Sequence, residues 1–158
     1  MTLDEMLARE AIRQTMAAYT MAGDRLREED FIAVFTEDAV LESEGVPESD
    51  LFRYEGRGAI RQWIARWRSP EATARTRQAR FVRHHLSTCH IELTGPDTAR
   101  VRTYWVAWTD IGPDHAGYYL DDFRKVGEDW LIAHRRVRLD WESPDSLYMT
   151  AVTNTNAG

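Results

Sequence analysis

Residues 83–105 read RHHLSTCHIELTGPDTARVRTYW, two runs of alternating side chains broken by a Gly-Pro-Asp turn signal. A period of two places successive side chains on opposite faces of a pleated strand, and Gly, Pro and Asp suit the turn, so the stretch predicts a β-hairpin. The same period continues downstream. Strands are expected over about 82–94, 98–110, 116–126 and 129–141, separated by TGPDT, DIGPDHAG and VGED, which makes a four-strand antiparallel meander.

Upstream the apolar period is helical. Thr2 with Glu5 three positions on has the form of a capping box, and Met6, Ile12, Met16 and Tyr19 come after it at helical spacing, predicting a first helix over 3–21 ended by Gly23. REEDFIAVFTEDAV reads as a second helix that turns Phe31, Val34 and Phe35 inward before a strand near 39–43, so Asp24 stands at the corner between two helices. After a loop with Pro47 and a short strand in LFRYEGR, GAIRQWIARW sets Ile60, Trp63, Ile64 and Trp67 on one stripe of a third helix, which reads as core. RSPEATARTRQAR is a polar connection. Helices first and mostly antiparallel strands afterwards give an α+β fold, three N-terminal helices packed on a curved sheet. Residues 1–150 are expected to form one domain and residues 151–158 a flexible tail.

Composition excludes several functions. Twenty basic against 26 acidic residues leave a net charge of −6, which repels a phosphate backbone and offers no field for anionic lipid, so neither nucleic acid nor membrane is an expected partner. The acidic, polar start MTLDEMLARE is unlike a secretion signal, and the single cysteine, Cys89, fits a reducing cytoplasm and a small buried apolar side chain.

Alternation also sorts the histidines. His85, Ser87, Cys89, Ile91 and Leu93 share a face that ends in two aliphatics, which makes His85 the inward histidine and leaves His84 and His90 opposite, unless a bulge reverses the assignment. In WLIAHRRVRLDW the same parity groups Arg135 with aliphatic residues, so its guanidinium needs a carboxylate, an anionic substrate, or a path out to solvent. Adjacent His84 and His85 point opposite ways, and neither a CxxC nor an HExxH pattern supplies further ligands, so no metal is expected. EGRGAI lacks the lysine of a phosphate loop, and no nucleophile elbow surrounds Ser87. Tyr104, Val106 and Trp108 alternate with Trp105 and Ala107, so this strand is apolar on both faces, which points to a covered outer face and a homodimer or homotrimer.

Five blocks in order, EAIRQTMAAYTMAGDR, FIAVFTEDAVL, YEGRGAIRQWI, RHHLSTCHIELTGPDTARVRTYW and WLIAHRRVRLDW, resemble the SnoaL-like branch of the nuclear transport factor 2-like superfamily over nearly the whole chain. The resemblance implies a cystatin-like α+β cone barrel, and within the branch the chain is similar to scytalone dehydratase, bile-acid 7α-dehydratase and hexachlorocyclohexane dehydrochlorinase. Those enzymes pair an Asp at the end of the first helix with a His early on the long strand, which fall here on Asp24 and His85; Tyr19 matches a further tyrosine, the catalytic arginine falls on either Arg135, as in the dehydrochlorinase, or Arg138, as in the bile-acid enzyme, and Asp110 stands near an acidic position. The further histidine of scytalone dehydratase has no counterpart between Tyr104 and Asp110, and its water-holding tyrosine falls near Glu42 or Ser43. In function, the resemblance implies a cofactor-independent, dehydratase-type lyase for a small cyclic or aromatic molecule. Asp24 and His85 would form its general base, with Trp105, Trp108 and Tyr119 as walls. A ketosteroid-isomerase-like or polyketide-cyclase-like enzyme, and a non-catalytic ligand-binding or oligomerisation domain, are the alternatives that the fold also hosts.

Overall fold

The capping box forms as the sequence predicts. In the computed structural model, which describes residues 1–46, 48, 51–69 and 79–147, the Thr2 hydroxyl accepts from the Glu5 backbone at 3.2 Å and Glu5 accepts from the Thr2 backbone at 2.9 Å. Helix α1, Leu3–Asp24, buries Ile12, Met16, Tyr19 and Ala22 along one stripe. It does not end at Gly23. A Cβ there would stand at ordinary contact distance from the Phe31 ring, 3.4 Å, and the chain leaves the helix just beyond it, where Leu26 takes a φ of 52°. The loop around Pro47, the segment 70–78 and the expected tail from 151 lie outside the described residues.

Helix α2 is short, Glu28–Ala33, and the chain is already strand β1 from Phe35–Glu44 rather than helix. Tertiary pairing overrides local helix preference here: the Ile132 backbone donates to the Val34 carbonyl at 2.9 Å, and β1 runs parallel to the last strand. Strand β2, Arg53–Glu55, pairs antiparallel with β1 and leads into helix α3, Gly56–Arg66, whose Ile60 and Ile64 are buried with Trp63 and Trp67 packed beside them. The meander comes next as strands β3 (Arg83–Gly95), β4 (Thr98–Thr109), β5 (Gly112–Val126) and β6 (Asp129–Glu142). Together they make one mixed sheet in the order β2-β1-β6-β5-β4-β3, with the helices against its inner face. Among the described residues no helix is long and apolar enough to cross a membrane.

Irregular pairing decides what the inner face carries. Between Leu86↔Trp105 and Cys89↔Thr103, Ser87 and Thr88 oppose Tyr104 alone, so β3 bulges and its parity changes. Cys89, Ile91 and Leu93 point inward as expected. Upstream of the bulge, however, His84 and Leu86 turn inward and His85 is exposed. Ala133 is the extra residue of a second bulge, which lets Trp130 and Ile132 share the interior with Arg135. Asp114 is the extra residue of a third, between Trp108↔Pro113 and Ala107↔His115, and both Asp114 and His115 are buried in consequence. At Gly117 no Cβ can be accommodated: it would lie 1.9 Å from the Arg138 carbonyl oxygen and 2.9 Å from the Trp105 indole, which crosses β5 at this point.

Candidate active site

The end of α1 and the start of β3 meet at a carboxylate–imidazole pair. Asp24 Oδ1 lies 2.6 Å from His84 Nδ1, and the His84 backbone N–H donates to the other carboxylate oxygen at 3.1 Å. A carboxylate only accepts, so Nδ1 carries the proton and Nε2 presents its lone pair. Asp24 is 6% exposed and His84 24%. No described residue bonds His84 Nε2, and the two residues line a cavity of about 150 Å³ whose apolar wall includes Leu26, Trp67, Phe81 and Val82. A second depression, about 470 Å³, is lined by charged side chains only, Arg27, Glu28, Glu29, Asp30 and Arg68.

Arg135 is fully buried. Its Nε and Nη2 donate to the two oxygens of Asp121 at 2.8 and 2.7 Å, and its guanidinium lies 3.9 Å from the Tyr19 ring centre and 4.1 Å from that of Tyr119. Of the outcomes open to a buried arginine, a carboxylate partner is the one realised. Burial opposes the charge, but the Asp121 carboxylate outweighs it and holds the Arg135 pKa above its ordinary value. Nη1 has no hydrogen-bond partner among the described residues. Burial raises the hydroxyl pKa of Tyr19, against the pull of Arg135, and raises that of Tyr119 well above the ordinary value, so both stay neutral donors.

Behind His84 lies a second pair that the sequence pattern did not indicate. His115 Nδ1 is 2.8 Å from Asp114 Oδ1, and the His115 ring sits edge-on to His84 at 5.9 Å and to Trp105 at 5.6 Å. Trp105 stacks on Tyr119 at 5.7 Å, joining this pair to the Arg135 group. Burial lowers the His115 pKa and Asp114 only partly restores it, so the ring is biased to neutrality. For Asp114, burial raises the pKa, but hydrogen bonds from Ser146, His115 and the Leu147 backbone outweigh that and hold it below the usual carboxylate range. No group of His, Cys, Asp and Glu side chains among the described residues could hold a metal ion.

Four expected site residues are elsewhere. His85 is on the outer face, 5.9 Å from the Trp108 ring, because the β3 bulge reverses its parity. Trp108 is 40% exposed on that same face. Arg138 also faces outward, bonded to Asp140 at 3.1 Å with its guanidinium 5.6 Å from the Tyr118 ring. Asp110 is taken up by Arg80, whose backbone and guanidinium donate to it at 2.6 and 2.5 Å. Glu42 is tied to Arg53 and His134. Asp24, Tyr19, Arg135, Trp105 and Tyr119 remain on the interior side, joined by His84, His115, Asp114 and Asp121.

A family model described as a SnoaL-like domain matches residues 4–136. Curated proteins give no match. Among solved structures, a candidate scytalone dehydratase from Novosphingobium aromaticivorans superposes with a TM-score of 0.70 at 25% identity, over 90% of this chain and 91% of that one. The hexachlorocyclohexane dehydrochlorinase LinA-type3 from Novosphingobium barchaimii reaches a TM-score of 0.70 at 16% identity, over 90% and 92%, and a Nostoc punctiforme protein of unknown function with a cystatin-like fold 0.69 at 21%, over 87% and 92%. These last two are likenesses of fold alone. With an α+β cone of this topology, and a family model spanning it from the first helix into the last strand, the chain belongs to the SnoaL-like domain family.

Proposed function

We propose that this chain is a cofactor-independent lyase that eliminates water from a small cyclic or aromatic molecule, with His84 as the base and Asp24 as its support. The observation that carries the reading is the Asp24–His84 pair on the wall of an apolar cavity, with Nε2 unbonded by any described residue. A cavity of comparable size is enough for a benzene-sized ring. In turnover, Nε2 takes a proton from the carbon beside the one bearing the hydroxyl. The C–H electrons become the new double bond, the C–O bond breaks, and the imidazolium returns its proton to the departing oxygen, releasing water. Asp24 stabilises the imidazolium meanwhile. Tyr19 and Arg135 do not line this cavity, and the Arg135 charge is matched by Asp121, so the elimination relies on the Asp24–His84 pair. Similarity to a candidate scytalone dehydratase supports the same reading.

His84→Gln keeps a polar side chain on β3 and removes the base. Turnover of a hydroxylated cyclic ketone is expected to fall by at least about a hundredfold, the usual worth of a general base. Unchanged turnover in a folded His84→Gln variant rejects the assignment; turnover that survives it but fails in Asp24→Asn transfers the reading to a carboxylate-based isomerase. We further place the chain in the cytoplasm as a homodimer or homotrimer, joined through the outer sheet face where Tyr104 and Trp108 are exposed. Sedimentation showing monomer alone at micromolar concentration rejects that association.

A further inference from the structure

Asp114 has no exposed surface and accepts from four groups: His115 Nδ1 at 2.8 Å and the Ser146 hydroxyl at 2.6 Å on Oδ1, and the Thr109 hydroxyl at 3.1 Å and the Leu147 backbone at 2.8 Å on Oδ2. The segment supplying two of those donors is tied down again nearby, with the Ser143 backbone donating to the Asp114 carbonyl at 2.7 Å and the Ser146 backbone to the Ser143 carbonyl at 3.0 Å. Backbone bonds of this kind would anchor a chain segment by themselves. Burying a carboxylate as well carries a cost that only its hydrogen bonds offset, and one of those leads to the imidazole packed against His84.

We propose that Asp114 is a positioning residue for His115. In this arrangement the docked segment 143–147, by bonding both carboxylate oxygens, limits how strongly Asp114 holds a proton on His115 and thereby protects the charge that His84 must carry. Competition among donors sets the sign. Each donor from Ser146, Leu147 and Thr109 spreads the negative charge of Asp114 and weakens its pull on His115. With the segment released, Asp114 pulls harder, His115 charges more readily, and a positive ring 5.9 Å away disfavours the His84 imidazolium. Among the described residues, the charged and titratable groups facing His115 are Asp114 on its own strand, His84 on β3 with Asp24 of α1 behind it, and Glu142 opposite it in register on β6. Ala107 and Trp105 of β4 do not titrate in this range. The inference rests on the lyase reading only in that His84 must charge during turnover; the coupling of the rings does not require it.

The test is an NMR titration of the histidine ring protons in the full chain, wild type against Ser146→Ala, with Ser146→Thr as the variant that keeps the hydroxyl. Ser146→Ala is expected to raise the proton affinity of His115 by about threefold, half a pK unit, and to lower that of His84, while Ser146→Thr titrates as wild type. Thr109→Val removes a donor from the other oxygen and is expected to move both rings in the same directions. Titrations that superimpose on wild type for both histidines in Ser146→Ala and Thr109→Val overturn the proposal. Shifts as stated in a chain without lyase activity support the clasp and remove only the functional reading. Flat titrations in a chain whose turnover depends on His84 do the reverse.

Discussion

Replacing Arg135 by leucine isolates the energetics of the interior. The substitution removes both hydrogen bonds to Asp121, at 2.8 and 2.7 Å, and two cation–π contacts near 4 Å, and leaves a carboxylate with no exposed surface and no hydrogen-bonded cation among the described residues. Breaking a fully buried pair from one side costs about 3–5 kcal/mol. For a chain of this size each kcal/mol lowers Tm by about 2–4 °C, so a fall of about 6–20 °C is expected. Because neither group reaches solvent, the effect should persist in high salt, unlike that of the exposed Arg61–Glu29 pair. An unpaired Asp121 gains proton affinity on folding, so Arg135→Leu should recover part of its loss as pH falls, while Arg135→Met with Asp121→Leu should return to within about 1 kcal/mol of wild type at pH 7. Urea midpoints at two salt concentrations and two pH values measure all of this. A loss under about 1 kcal/mol in the single variant, or a double variant no more stable than the single one, refutes the reasoning.

The pKa shifts at His115 and Asp114 predict acid lability in two windows. His115 titrates below 6.5 in the folded state, so from 6.5 downward the unfolded chain binds the proton first and stability falls; Asp114, held below 3.8, adds a further loss as pH falls through its folded pKa. His115→Gln should abolish the upper window, and urea midpoints of that variant that still fall from pH 6.5 in the wild-type manner would contradict the assignment. Gly117→Ala forces a backbone shift, since its Cβ would stand 1.9 Å from a carbonyl oxygen, and should cost about 3 kcal/mol, the upper end for overpacking, read as a lowered urea midpoint.

Most of the architecture was legible because apolar periodicity carries it. The capping box, the Ile60–Trp67 stripe and the four strands of the meander depend on nearest-neighbour patterns, and each lies within a few residues of where the pattern puts it. The start of β1 was not legible, because FIAVFTEDAV becomes strand at Phe35 only through pairing with residues almost a hundred positions away. Asp24 could be placed from the helix end, and Arg135 from parity, although the bulge at Ala133 means that Leu131 and Ala133 do not accompany it into the core. His115 was hidden inside DIGPDHAG, whose Gly, Pro and Asp read as a turn; β5 begins at Gly112 nonetheless, and the bulge at Asp114 buries two consecutive polar residues. Trp108 and Arg138 carry side chains suited to a pocket but stand on strands whose outer face is equally rich in aromatics.

The exchange of His85 for His84 has the same origin and yields a direct test. Strand β3 must present Cys89, Ile91 and Leu93 to the core, and also an imidazole to Asp24, and the single added residue in Ser87–Thr88 decides which imidazole that is. Unbroken alternation back from Ile91 selects His85, whereas one residue too many at the bulge selects His84, the histidine that Asp24 holds. Deleting Thr88, which is exposed and shares its single β4 partner with Ser87, leaves a strand in which alternation runs from Ile91 through Cys89 and Leu86 to His84 with no bulge at all. The deletion should therefore straighten the strand, leave Leu86 paired with Trp105, and keep the His84 ring proton bonded to Asp24. A downfield Nδ1–H resonance that survives the deletion and disappears in Asp24→Ala is the expected result. If that proton instead moves to His85, the segment upstream has slipped by one residue rather than the bulge closing, and the pairing of Leu86 with Trp105 is not what aims the imidazole.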